Sequence, residues 1–160
     1  ALRDIGVDVR VLVPGYNKVM SYADNYKVVA EFEFVGFPAS RLLAGKMPNG
    51  VPLFVLDSPS LYQRDGGPYQ TTRGQDWPGN AMRFGLFSKV AAALGCSESP
   101  LAWNPDIIQC NDWQTGLIPA YLHFSPNSVP SVIAIHNLAS QGIFQAETVQ
   151  KLQLPPYSYK

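Results

Sequence analysis

The chain has 160 residues, enough for one domain with a hydrophobic core. Apolar residues make up 46% of it and charged residues 15%, a balance typical of soluble globular proteins and not of disordered ones. Twelve basic residues offset twelve acidic ones, which leaves no electrostatic grip for nucleic acid or for an anionic membrane.

The two cysteines, Cys96 and Cys110, stand outside any CxxC pair and have no histidine cluster beside them. That spacing argues against a disulfide framework and against a zinc site, and favours two buried thiols in a reducing compartment. No apolar run approaches the roughly 20 residues that span a bilayer, and the N-terminus lacks a signal-peptide pattern. Ala1-Leu-Arg-Asp-Ile-Gly6 reads as the last turn of a helix capped by Gly6. The other end stops in the proline-rich Leu154-Pro-Pro-Tyr-Ser-Tyr-Lys160. Both ends read as cuts in something longer.

Val7 to Val13 is β-branched and bounded by Gly6 and Pro14-Gly15, which predicts a strand. A second strand is expected over residues 25 to 35, with Val28, Val29, Phe32, Phe34 and Val35. Residues 39 to 46 and 51 to 57 flank Met47-Pro48-Asn49-Gly50. The proline presets one turn position and Asn-Gly tolerates positive φ at the next two, so a hairpin is expected. Residues 58 to 78 form a long polar loop, and a structureless loop of that length is either functional or disordered in most proteins. Tyr62, Tyr69 and Trp77 within it argue against disorder.

The clearest helical pattern covers 79 to 94. Phe84, Phe87, Ala91 and Leu94 step at three and four, with Met82, Leu86 and Val90 alongside, a broad stripe expected to pack on a sheet. Gly95 ends it. Asp106 to Cys110 and Ser131 to Ile135 read as buried parallel strands, with a helix from about Thr115 to His123 between them. The alternation of strand and helix in this half implies a parallel sheet with crossovers; the first half adds an antiparallel hairpin. The expected fold class is therefore α/β, Rossmann-like, with a mostly parallel sheet.

In such sheets ligands bind beyond the carboxyl ends of the strands. Three strands end in polar residues: Asp57, then Asn111-Asp112-Trp113, then His136-Asn137, all expected on one rim. Each has an ordinary alternative. Asp112 precedes a helix and could be its N-cap. His136 could be a buried, satisfied histidine, and Asn137 could simply serve a turn. Arg83, beside the apolar stripe, is either a snorkelling surface residue or an inward partner for a rim carboxylate. Trp113 and Tyr69 could stack on sugar rings or could be core.

Asn111-Asp112-Trp113-Gln114-Thr115-Gly116-Leu117, followed by His136-Asn137-Leu138-Ala139-Ser140-Gln141-Gly142, resembles bacterial glycogen synthase and plant starch synthase. Val9-Arg-Val-Leu-Val-Pro14, Gly67-Pro68-Tyr69 and Asn80-Ala-Met-Arg83-Phe84 fit the same family in the same order, so the resemblance covers nearly the whole chain. It implies a retaining glucosyltransferase that moves glucose from ADP-glucose to an α-1,4-glucan such as glycogen or a maltooligosaccharide. It needs no metal or other cofactor, and acts in the bacterial cytoplasm in preference to a plastid. The implied fold is the N-terminal, acceptor-side half of a two-domain GT-B glycosyltransferase.

Carried over by motif, Asp112 and His136 belong to the catalytic centre. His136 contacts the transferred glucose and helps stabilise positive charge near its anomeric carbon, and Asp112 orients the centre or the acceptor. Tyr69, Asn137 and Arg83 bind substrate. Glycosyl transfer passes through an oxocarbenium-like state, which oriented carboxylates and acceptors stabilise.

On this reading the family's lysine-bearing glycine-rich loop, with the first strand, falls before Ala1, and the nucleotide-binding domain falls after Lys160. Residues 1–160 alone are then expected to be inactive and poorly stable, with unpaired strand edges. Ser140 stands where an aromatic is common and Gly79 where an acidic residue is common. The competing readings are a non-catalytic glucan-binding or regulatory module and another doubly wound nucleotide-binding domain. No GxGxxG follows a strand to support the latter.

Overall fold

The hairpin around Met47 and Gly50 lies in the first of two units, Ala1–Trp77 and Pro78–Lys160, in the computed structural model, which describes residues 2–159. In the first unit, β1 (Val11–Pro14), β2 (Lys27–Phe32), β3 (Ser40–Lys46) and β4 (Pro52–Asp57) form one sheet in the order β1-β4-β3-β2. Strand β1 runs parallel to β4, while β3 is antiparallel to both β4 and β2. Short helices α1 (Asn17–Met20) and α2 (Pro59–Tyr62) follow β1 and β4.

Side chains alternate across a strand, so β3 and β4 each serve two faces. Leu43, Leu53 and Val55 point to one, where Val11, Val13, Met20 and Tyr26 pack on them. Leu42 and Leu56 on the other face are fully buried. Each such aliphatic side chain contributes about 1.5–3 kcal/mol through burial. At the outer edge, β2 carries exposed Lys27 and Glu31 and a register shift between Val28 and Ala30. Charges and bulges of this kind discourage pairing with another chain.

Strand β1 is shorter than the run of β-branched residues suggests. Its register pairs Val11 with Leu53, which brings Pro52 opposite Arg10. Proline has no N–H for the ladder, so pairing stops there. The hairpin forms as expected, but only Gly50 takes positive φ (79°). Asn49 acts through its side chain instead, its Oδ1 accepting the Val51 N–H at 3.2 Å. Gly6 is left-handed (φ 88°) and caps the single 3-10 turn Arg3–Ile5, as its position suggests; Ala1 lies outside the described residues.

The loop expected over 58–78 is not structureless. It opens with α2, whose Tyr62 is buried, and is tied later by isolated bridges between Gly66 and Thr71 and between Gln70 and Asp76.

The second unit contains α3 (Asn80–Leu94), β5 (Ile108–Asn111), α4 (Ile118–His123), β6 (Ser131–Ala134) and α5 (Thr148–Lys151). Strands β5 and β6 pair in parallel, joined through α4 as a crossover. The fold is thus α/β, but the sheets correct the expectation of one mostly parallel sheet. The four-stranded sheet is mixed, and the parallel pair stands as a sheet of its own.

Helix α3 begins after Gly79, which is left-handed (φ 84°), so glycine suits a position where an acidic residue is common in the family. Its burial is not confined to a stripe, since Arg83 and Ser88 are buried along with Phe84, Leu86 and Val90. Within its unit it packs on α4 and on the 3-10 turn Trp113–Thr115. Gly95 follows it without a left-handed cap. A Cβ there would sit 2.6 Å from Ile108 Cδ1, so the side chains packed on Gly95 leave little room for a larger residue without shifting.

The helix expected from Thr115 divides into that turn and α4, because Pro119 is tolerated only in a helix's first turn. Strands β5 and β6 are not the buried strands expected. Cys110 is fully buried, but Val132 and Ile133 are exposed, as two short strands cannot cover both of their own faces.

Candidate active site

Parallel pairing of β5 and β6 brings the ends of both strands to one edge. Asn111 lies opposite Ala134, and the Asp112 N–H continues the ladder to the Ala134 carbonyl at 2.8 Å. Beyond that point the Asp112 carboxylate folds across to the neighbouring chain. Its Oδ1 accepts the backbone N–H of His136 at 2.6 Å and that of Asn137 at 3.1 Å. Asp112 does stand at the N-cap position of the 3-10 turn Trp113–Thr115, but its carboxylate makes no capping bond and instead ties two strand ends together.

This geometry forces Asp112 into φ 56°, ψ −173°, a region that only glycine enters without strain. Such strain costs about 1–3 kcal/mol and persists only where the surroundings over-determine it. They do so here. Thr115 donates to the Asp112 carbonyl through its N–H (3.2 Å) and its hydroxyl (3.0 Å), and the same hydroxyl lies 2.8 Å from the Asn111 carbonyl. Thr115 belongs to the run that includes Asp112, yet its supporting role is invisible without the turn that folds it back.

The His136 N–H holds the Asp112 carboxyl below the usual carboxylate range; partial burial opposes this, while the Asn137 N–H and the charge of His136 add to it. Asp112 is thus an anion at neutral pH.

His136 is exposed, which excludes the buried-histidine alternative, and its Nε2 lies 3.3 Å from Asn111 Oδ1. Asn137 performs the turn role that its position also allowed. Its Oδ1 accepts the Ala139 N–H at 3.1 Å and its Nδ2 donates to Ser140 Oγ at 3.2 Å. Ser140, where an aromatic is common, so acts as a small hydrogen-bonding partner within the turn.

A cleft of about 590 Å³ opens beside this edge, with Asp112 and Asn137 on its wall together with Trp113, Leu117, Ile135 and Phe144. Trp113 is more core than platform: its ring meets Phe84 edge-on at 5.0 Å and Phe144 at 5.9 Å. Gly142 makes room for it, since a Cβ there would fall 2.1 Å from Trp113 Cε3.

Arg83 is buried in α3, so it is no snorkelling surface residue. Its Nη1 donates to Asn80 Oδ1 at 2.8 Å and its guanidinium lies 5.4 Å from the Phe84 ring centroid. It does not line the cleft. The structure therefore gathers Asp112, His136 and Asn137, as their strand-end positions suggest. Tyr69 and Asp57 belong to the other unit. Asp57 is buried there, its carboxylate held by Arg41 and by Gln63 Nε2 at 3.1 Å. Among the described residues no helix is long and apolar enough to cross a membrane.

Residues 1–160 match the family model described as the starch synthase catalytic domain. The chain is 50% identical over 165 residues to a glycogen synthase of Nitrosospira multiformis, covering 99% of this chain and 33% of that protein. It is 52% identical over 162 residues to one from Aromatoleum aromaticum, covering 100% of this chain and again 33% of the relative. One from Rhodospirillum rubrum is 45% identical over 158 residues, with 97% and 33% covered. The chain spans about a third of the length of these curated relatives. With its whole length matched by one family model and by relatives of one name, the chain belongs to the starch synthase catalytic domain family.

Proposed function

We propose that this chain supplies the acceptor-side half of a GT-B glucosyltransferase active site. In that site glucose passes from ADP-glucose to the non-reducing end of an α-1,4-glucan with retention. The observation that carries this reading is the Asp112 carboxylate, strained in its backbone and gripping the N–H groups of His136 and Asn137 at the ends of two parallel strands. Strain held in place by many contacts marks a position kept for something other than stability. The names of the relatives supply the reaction class.

The chemistry follows from what must be stabilised. As the bond to the nucleotide lengthens, positive charge grows at the anomeric carbon, and a fixed anion nearby lowers the energy of that state. Asp112 is such an anion. By fixing the backbone of residues 136 and 137 it also sets where the His136 side chain stands, so that His136 meets the transferred glucose in one orientation. Tyr69 offers a flat face to the glucan. Asn137 shapes the turn beyond the site, and buried Arg83 supports the wall from within α3. The enzyme works in the bacterial cytoplasm, where no metal or other cofactor takes part in the transfer.

The test is glucosyl transfer by the full-length gene product, with ADP-glucose or UDP-glucose as donor and glycogen as acceptor. Preferential use of ADP-glucose and a product digestible by α-amylase are expected. No transfer from ADP-glucose, or a β-linked product, would overturn the reading. His136→Ala should lower turnover about 100-fold or more while the fold is kept.

A further inference from the structure

The loop that presents Tyr69 is built around one side chain that the proposed reaction does not use. Tyr69 itself is 44% exposed. Trp77 holds the segment before it at two points. Its backbone N–H donates to the Tyr69 carbonyl at 3.0 Å, and its indole Nε1–H donates to the Gly67 carbonyl at 3.0 Å. Between those points Gly67 N–H meets the Gln70 carbonyl at 2.8 Å, closing a tight turn with Tyr69 at its outer side.

The ring of Trp77 is itself fixed. The Arg64 guanidinium lies 5.3 Å from its centroid, and Arg64 is anchored in turn by donating to the Ser60 carbonyl at 2.9 Å. Asn17 Nδ2 donates to the Arg64 carbonyl at 3.1 Å, which links the arrangement to α1. On the other side Gly66, at φ 142°, leaves the space the ring needs; a Cβ there would sit 3.1 Å from Trp77 Cζ2 and 2.9 Å from the Gln70 carbonyl oxygen. Thus an exposed tyrosine on a 58–78 loop is joined to the scaffold through an indole, a guanidinium and two short helices.

We propose that Trp77 is a positioning residue for the glucan acceptor, holding the turn 67–70 so that the Tyr69 ring is ordered before sugar binds. This rests on the reading of Tyr69 as an acceptor contact. A ring that is already ordered loses less entropy when a sugar stacks on it, so the benefit falls on acceptor affinity and not on the chemical step.

The experiment is steady-state kinetics on the full-length gene product with a maltooligosaccharide acceptor. Trp77→Phe keeps a ring beside Arg64 but removes the indole N–H. It should raise KM for the acceptor about three- to tenfold, with KM for ADP-glucose and kcat at saturating acceptor unchanged. Tyr69→Ala should raise acceptor KM by about tenfold, and Trp77→Phe should add nothing in that background. Gly66→Ala, which disturbs the same turn from its other side, should reproduce the acceptor effect if Trp77→Phe folds poorly.

If Tyr69→Ala leaves acceptor KM unchanged, the acceptor reading of Tyr69 fails and the inference with it. If Tyr69→Ala has its effect but neither Trp77→Phe nor Gly66→Ala does, the positioning role alone is overturned. The same holds if Trp77→Phe still acts in the Tyr69→Ala background, or raises the donor KM equally.

Discussion

Asp57 and Asp112 occupy equivalent places in the two units and have opposite surroundings. Each follows or ends a strand that is paired in parallel with a neighbour, β4 with β1 and β5 with β6. Asp57 is buried, and its carboxylate meets side chains, Arg41 from the adjacent antiparallel strand and Gln63 from beyond α2. Asp112 stands at the wall of a cleft, its backbone strained and its carboxylate gripping main-chain N–H groups. The strand-end rule points to both. What separates them is the partner set: a side-chain ion pair closes a sheet edge, whereas main-chain donors hold an anion open to a cleft.

The largest effect that would break this distinction is on turnover. Asp112→Gly is the cleanest variant, because glycine adopts φ 56°, ψ −173° without strain. Relief of about 1–3 kcal/mol of strain should roughly offset the lost hydrogen bonds. Turnover in the full-length gene product should then fall about 100-fold or more, while the midpoint of urea unfolding shifts little. Retained turnover would place Asp112 beside Asp57 as a structural carboxylate.

Asp57→Asn should behave in the opposite way. Arg41 is half exposed and finds water when its partner is neutralised, so the loss is smaller than for a fully buried pair. A destabilisation of about 1–2 kcal/mol is expected, read from the same unfolding curves, with kcat per folded molecule unchanged. A fall in kcat without loss of stability would bring Asp57 into the active site.

Much of this was legible in the sequence for a physical reason. The hairpin, α3 and the strand ends are written in local chemistry: Pro48-Asn49-Gly50 for the turn, the three- and four-residue stepping of Phe84, Phe87, Ala91 and Leu94 for α3, apolar runs that stop in polar residues. Asp112, His136 and Asn137 come together because parallel strands share a direction. The burial of β5 and β6 was not legible, since an apolar run reads alike whether a sheet is covered on two faces or one. Nor was the true employment of the Asp112 carboxylate. Its partners lie 24 and 25 residues away along the chain, and they are main-chain groups that every residue but proline carries. Gly95 reads as a helix stop but is also packed closely against Ile108, a residue met only after the chain has turned back.

The smallest effect concerns pH, and it bears on Asp112 by a different measurement. The folded state holds Asp112 below its usual pKa, chiefly through the His136 N–H. A group whose pKa is lower folded than unfolded binds fewer protons in the folded state, so its stabilising contribution is complete above the unfolded value of about 3.9. It drains away as pH falls through the folded value. The difference in unfolding midpoint between the natural protein and Asp112→Asn should therefore be constant from pH 7 to about 5 and shrink below about 4. A carboxyl resonance assigned to Asp112 should titrate below the ordinary carboxylate range in the natural protein. It should move back towards that range if His136 and Asn137 are displaced by altering the turn at Ser140. If the midpoint difference instead grew on acidification, the folded state would favour the protonated carboxyl, and the two N–H groups would not be holding Asp112 as an anion.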